Sequence, residues 1–212
     1  MSAARALLAA AAALAGPALA QPADRALPEV VIPARDEAAA GGFDAASAGT
    51  IASAQIESRP LLRPAEVLEA VPGLVVTQHS GAGKANQYFL RGFNLDHGTD
   101  FAIGVDGMPV NMPTHAHGQG YADLNFLIPE MVQRVEYRKG PYYAKGGDFS
   151  LAGAADVVYR TNFDAPFLDV GVGPHGFRRS VAGGSTALGG GTTLLGAVEV
   201  MGHDGPWVVP QG

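Results

Sequence analysis

Apolar positions change their spacing several times along the chain, and each change predicts a different element. Residues 6–15 form an unbroken apolar run behind the positive charge of Arg5, and Ala18, Leu19 and Ala20 before Gln21 have the small-x-small form of a signal-peptidase site. A spanning helix needs about 20 apolar residues; this run is shorter and meets Gly16 and Pro17. Residues 1–20 therefore read as a signal peptide outside the fold. From Gln21 to Thr50 periodicity disappears, leaving one apolar island, Val30, Val31 and Ile32, between Pro28 and Pro33. That stretch reads as a flexible linker carrying a short extended segment.

Beyond Ile51 the spacing becomes that of a folded domain. Pro64 suits a first helical turn, Val67, Leu68 and Val71 share one face, and Pro72 with Gly73 stops the helix. Leu74 to Thr77, Gln87 to Leu90, Asp100 to Val105 and Arg134 to Arg138 are short β-prone runs bounded by turn residues, expected as strands of one small sheet. Leu124, Leu127, Ile128 and Met131 recur at helical spacing and predict a second short helix over Tyr121 to Met131, with Pro129 limiting its regularity. After Asn162, three Gly-separated stretches alternate large apolar residues with small or polar ones. That dyad suits transmembrane barrel strands and a soluble antiparallel meander equally well.

Composition narrows the classes. The 29 Gly and 15 Pro make up about a fifth of the 212 residues, against about an eighth in average usage, which favours turns and strands over long helices. With 47% hydrophobic and 16% charged residues the chain can build a core. A formal net charge of −6 is the wrong sign for counterion-driven binding to phosphates, so no nucleic-acid partner is expected. The absence of cysteine removes disulfides, thiolate metal sites, a cysteine nucleophile and a lipoprotein anchor.

Four ordered pieces carry a family resemblance: Leu62 to Val76 with its helix ending in Pro-Gly, Phe89 to Phe93, Val105 to Val110, and Val135 to Pro141. Together they resemble the plug domain of TonB-dependent outer-membrane receptors, over roughly Ile51 to Thr161. The motif residues are Arg91, Gly92, Asp106, Gly107, Gly140 and Pro141. The implied fold class is α+β: a small plug with a mixed β-sheet and short helices, then the first antiparallel strands of an incomplete transmembrane β-barrel. The implied division is 1–20 signal peptide, 21–50 TonB box and linker, 51–162 plug, and 163–212 start of the barrel.

The resemblance implies a receptor role, with no enzyme activity and no cofactor. Its partners would be TonB, a small-molecule or metal-complex substrate, and the outer membrane through the complete barrel. Glu29, Val30, Val31, Ile32 and Pro33 resemble the TonB box, an extended segment suited to adding as a strand to a partner's sheet edge. Pro33 departs from the Thr that often follows the apolar run in this family. A plugged barrel has about 22 strands of about 10 residues, whereas about 50 residues follow Asn162, so an N-terminal fragment of a receptor is expected. Alone, such a fragment would be periplasmic. The other reading is a free exported plug-like periplasmic binding protein, with metal binding through His97, His115 and His117 as one form of it.

His115 and His117 are the first metal candidates, with His97, Asp96, Met108 and Met112 near in sequence, because imidazole, carboxylate and thioether bind copper, zinc or nickel. A one-residue spacing puts both rings on one side only in an extended segment. The plain alternative is an exposed Gly-rich loop over Thr114 to Gly120. His97, Thr114, His115, His117 and Gln119 are also candidate substrate contacts. His79 to Lys84 superficially suggests a phosphate loop but has Gln78 where Gly is needed and Ala85 where Ser or Thr is needed. Arg91, Arg134, Arg138 and Lys139 are candidates for ion pairs between plug and barrel, against the commoner role of surface arginines at strand ends.

Overall fold

A computed structural model describes residues 42–78 and 83–205. The segments read as signal peptide and TonB box lie outside the described residues, as does most of the phosphate-loop-like segment. Strands Gly42–Ala45 (β1) and Ala48–Ala52 (β2) are followed by a single helical turn, Ser53–Glu57 (α1), and a 3-10 helix over Pro64–Ala70. Leu74–Thr77 (β3), Gln87–Leu90 (β4) and Phe93–Asn94 (β5) come next, then Phe101–Val105 (β6) and Met108–Pro109 (β7). A 3-10 turn over Pro129–Met131 leads into Val132–Lys139 (β8) and, after a turn, Gly153–Tyr159 (β9). Three longer strands finish the described chain: Phe167–Val172 (β10), Arg178–Gly189 (β11) and Thr192–Gly202 (β12).

The strands form three sheets. Six run in the order β1-β2-β8-β9-β6-β7, with β6 and β9 parallel and the other neighbours antiparallel. A second, antiparallel sheet is β3-β4-β5, so the short runs expected in one sheet divide between two. The reason is local: Arg91 and Gly92 turn β4 straight back onto β5, while β6 takes its partner from β9, some fifty residues on. The hairpin β1-β2 falls inside the stretch read as linker. Its Ala and Gly residues carry no dyad of large side chains, and β2 is held by β8, about eighty residues away.

The 3-10 helix buries Val67 and Leu68, with Val71 just past its end, as the spacing predicts, and Ala65 beside them, and the Glu66 carboxylate accepts from the Leu62 and Arg63 N–H groups ahead of it. The helix expected over Tyr121 to Met131 is absent. Leu124 and Leu127 are buried, but from an irregular loop in which Asp123 accepts from the Asn125 N–H, and only Pro129–Met131 turns helically. Pro129 has no N–H to give a preceding turn. One core joins both plug-region sheets and the 3-10 helix through Leu68, Tyr88, Phe101, Ile103, Val135 and Val157. Each such side chain contributes about 1.5–3 kcal/mol by leaving water.

The third sheet, β10-β11-β12, is an antiparallel meander with the opposite dressing. Leu168, Val170, Val172, Val198 and Val200 stand exposed on one face, with Val172 at 84% and Val200 at 70%. The register aligns Leu168 with Ala182 and Val198, and Val170 with Ser180 and Val200. The other face aligns Asp169 with Val181 and Glu199, and carries Arg179 and Ser185. Among the described residues no helix is long and apolar enough to cross a membrane.

Candidate functional site

One buried polar side chain organises the loops at which the candidate residues meet. Asn111 is 7% exposed, in a segment whose neighbours Val110 and Met112 are apolar. Its Nδ2 lies 2.9 Å from each of three carbonyl oxygens, of Gly98, Phe101 and Gly120, and its Oδ1 accepts from the Ile103 N–H at 2.6 Å. The amide thus ties the turn after β5 to the far end of the loop between Met112 and Tyr121, which a bridge between those two residues closes. Gly98 has to be glycine here. Its φ is +118°, and a Cβ would lie 2.9 Å from both the Ala122 Cβ and the Gly120 oxygen.

This clamp brings Asp96, His97 and His117 together. His97 is 1% exposed, whereas His117 is exposed and Asp96 half-buried. The His97 Nε2 is 3.6 Å from Asp96 Oδ1, the His117 Nε2 is 3.9 Å from Asp96 Oδ2, and the two rings meet edge-on with centroids 4.5 Å apart. Asp96 holds a left-handed backbone, φ 46°, and its N–H donates to Asn94 Oδ1. The His97 Nδ1 donates to the Asn86 carbonyl at 3.1 Å. Burial holds the His97 pKa below the ordinary histidine value, against the Asn86 and Ala85 carbonyls and the Asp96 carboxylate, which favour the charged ring.

His115 is placed differently. Its ring stacks on Tyr121 with centroids 4.0 Å apart, and its Nδ1 accepts from the His117 N–H at 3.1 Å. Tyr121 in turn accepts through its hydroxyl from the Ala85 N–H. Thr114 and Gln119 are exposed on the same loop, where the Gln119 carbonyl accepts from Thr99. Among the described residues, those that could hold a metal are Asp96, His97 and His117, with donor atoms all within 4.8 Å of one another.

The motif residues occupy turns and edges of the sheets. Arg91 and Gly92 make the β4-β5 turn, and the Arg91 N–H donates to the Gly73 carbonyl. Asp106 and Gly107 have φ of 49° and 76° and make the two-residue β6-β7 hairpin. The Asp106 carboxylate accepts from the Tyr159 N–H, and the Gly107 N–H donates to Asp156. Gly140 and Pro141 follow β8, where the Gly140 N–H donates to the Ala152 carbonyl.

A family model described as TonB-dependent Receptor Plug Domain matches residues 44–154, more than half of the chain. The chain belongs to the TonB-dependent receptor plug family. Its fold is similar to the ferric enterobactin receptor PfeA from Pseudomonas aeruginosa, at 20% identity over 77% of this chain and 26% of that one, with a TM-score of 0.59. The siderophore receptor PirA from Acinetobacter baumannii gives 17%, 75%, 25% and 0.55, and PirA from Pseudomonas aeruginosa 21%, 76%, 30% and 0.53. The chain thus spans about a quarter to a third of the length of these receptors, which it resembles in fold. Members of this family are outer-membrane receptors and transporters, not enzymes.

Among the described residues, the ion pair between the plug and the three strands of the meander comes from Arg179 rather than from Arg91, Arg134, Arg138 or Lys139. Arg134 pairs with Glu136 on its own strand, Arg138 lies over Tyr143, and Lys139 lies over Tyr137. Instead Arg179 on β11 grips Glu130 of the plug with both arms, at 2.6 and 2.9 Å, and reaches Glu199 on β12 through its Nε at 3.1 Å. Arg160, at the end of the plug, pairs with Glu57. Asn111, Tyr121, Glu130, Arg179 and Glu199 escaped the sequence reading. A lone Asn between apolar neighbours at the close of a hairpin was the one local signal among them.

Proposed function

We propose that this chain is the plug-bearing region of a receptor for energy-coupled uptake, across the outer membrane, of a scarce solute such as a siderophore, another metal complex or a different small molecule. The dressing of the meander supports this reading most strongly. Leu168, Val170, Val172, Val198 and Val200 face outward, with Arg178 the charge aligned among them, while Arg179 and Glu199 on the opposite face meet Glu130 of the plug, as in a strand wall with lipid outside and polar contents inside. A free periplasmic binding protein would leave Leu168, Val170, Val172, Val198 and Val200 in water. The fold likeness to receptors named for ferric enterobactin and siderophores favours metal-chelate cargo within that range.

In this reading residues 1–20 direct export, residues 29–33 recruit TonB, the plug closes the lumen, and residues 163–212 open the barrel wall. Val30, Val31 and Ile32 would pair by backbone hydrogen bonds with an edge strand of TonB, between two prolines that cannot donate. His97, Thr114, His115, His117 and Gln119 would contribute to the plug's share of the solute site.

The test is capture of the detergent-solubilised chain, without residues 1–20, by the immobilised periplasmic domain of TonB. Binding that a Val31→Pro change abolishes is the expected result, since proline removes a ladder N–H. Binding unchanged by that substitution, or no binding by the folded chain, overturns the TonB assignment.

A further inference from the structure

We propose that Asp96, His97 and His117 bind one divalent transition-metal cation, zinc(II) foremost, with a coordination position left for water or a solute donor atom. Two imidazole nitrogens and a carboxylate oxygen are a common protein donor set for zinc, and three protein ligands leave a fourth position in a tetrahedral site. Around such an ion, ligand atoms about 2.0–2.1 Å from the metal lie about 3.3 Å from one another. Here Asp96 Oδ1 is 3.6 Å from the His97 Nε2, Asp96 Oδ2 is 3.9 Å from the His117 Nε2, and the donor atoms all lie within 4.8 Å of one another, so closure onto one ion needs shifts of up to about 1.5 Å. His117 sits on an exposed loop and supplies that movement.

The surroundings prepare the buried ligand. The Asn86 carbonyl accepts from the His97 Nδ1–H, the arrangement that orients a metal-binding imidazole and presents Nε2 to the ion. His115 is outside the set, because its ring is stacked on Tyr121 and its Nδ1 takes the His117 N–H. Asn111 fixes the two loops at their roots, bringing His97 and His117 together across twenty residues of sequence. This proposal does not rest on the transport reading: metal binding and TonB capture are measured separately, and either can fail alone.

The experiment is calorimetric titration of the full folded chain in detergent with zinc chloride, with cobalt(II) absorption reporting the ligand field. One ion per chain is expected. Asp96→Asn and His117→Ala each weaken binding more than about tenfold, the control His175→Ala, at an exposed histidine of the β10-β11 turn, leaves it unchanged, and circular dichroism shows all three variants folded. The cobalt(II) complex should show four-coordinate bands. Absence of saturable one-to-one binding in the folded chain overturns the proposal, as does binding that Asp96→Asn and His117→Ala both keep.

Discussion

The plug and the meander solve the same β-sheet problem in opposite senses. In β6 the residues alternate between buried Phe101, Ile103 and Val105 and half-buried Ala102 and Gly104, so the apolar face turns into a shared core. In β10 and β12 the larger apolar residues are the exposed ones, while Glu199 faces inward toward Arg179 and the plug. An alternating sequence specifies two faces but does not say which one meets water. Here the neighbours decide: the plug meets the side of the meander that carries Arg179 and Glu199, and leaves the apolar face exposed.

The largest contrast should come from truncating matched residues of the two regions. Phe101→Ala removes a fully buried ring from the plug core and is expected to cost about 3–5 kcal/mol, read as a lower denaturant midpoint of the detergent-solubilised chain. Val200→Ala, on the exposed face of β12, is expected to shift that midpoint by less than about 0.5 kcal/mol. Equal losses at the two positions would break the comparison.

Asn111→Ala is expected to come next, costing about 2–4 kcal/mol, because it strands the Ile103 N–H and three carbonyls in the interior. Amide exchange should accelerate in the two loops that the side chain joins while β11 and β12 keep their protection. Uniform acceleration through the meander would mean that the two regions unfold as one.

The smallest effect concerns the link between the regions. Burial opposes ionisation of Glu130, but its hydrogen bonds with Arg179 outweigh that cost and hold its pKa below the ordinary value of 4.5. A depressed carboxylate contributes stability that is complete above the ordinary value and disappears as pH falls through the folded value. Glu130→Gln should therefore cost about 1–3 kcal/mol at neutral pH and flatten the acid limb of the stability curve below about pH 4.5. An unchanged acid limb would show that the Arg179 fork contributes no such stability.

What was legible in the sequence follows from how local each determinant is. The 3-10 helix, β3, β4 and β6 carry their own spacing and their own stop residues, so their positions stood out. The β1-β2 hairpin did not, because small residues form strands there only through pairing with β8. The absent helix over Tyr121 to Met131 shows the converse: helical spacing arose from a loop whose buried leucines are drawn into a core that Tyr88, Leu68 and Val135 share. The three-residue histidine and aspartate cluster was half visible. His115 and His117 announced themselves by spacing, but the pairing of His117 with Asp96 and His97 depends on a clamp made by Asn111, and the grip of Arg179 on Glu130 spans forty-nine residues.

Under the proposed function the meander shows its apolar face to lipid and its Arg179 face to the plug. Because the chain has no cysteine, single Cys substitutions at positions 195–200 of β12 accept spin labels without background in the chain reconstituted into lipid vesicles. Collision with oxygen, which partitions into lipid, should peak at 196, 198 and 200, and collision with a water-soluble nickel chelate should not. Access of the nickel chelate at 198 and 200 equal to that at 197 and 199, with no two-residue period, would contradict the account.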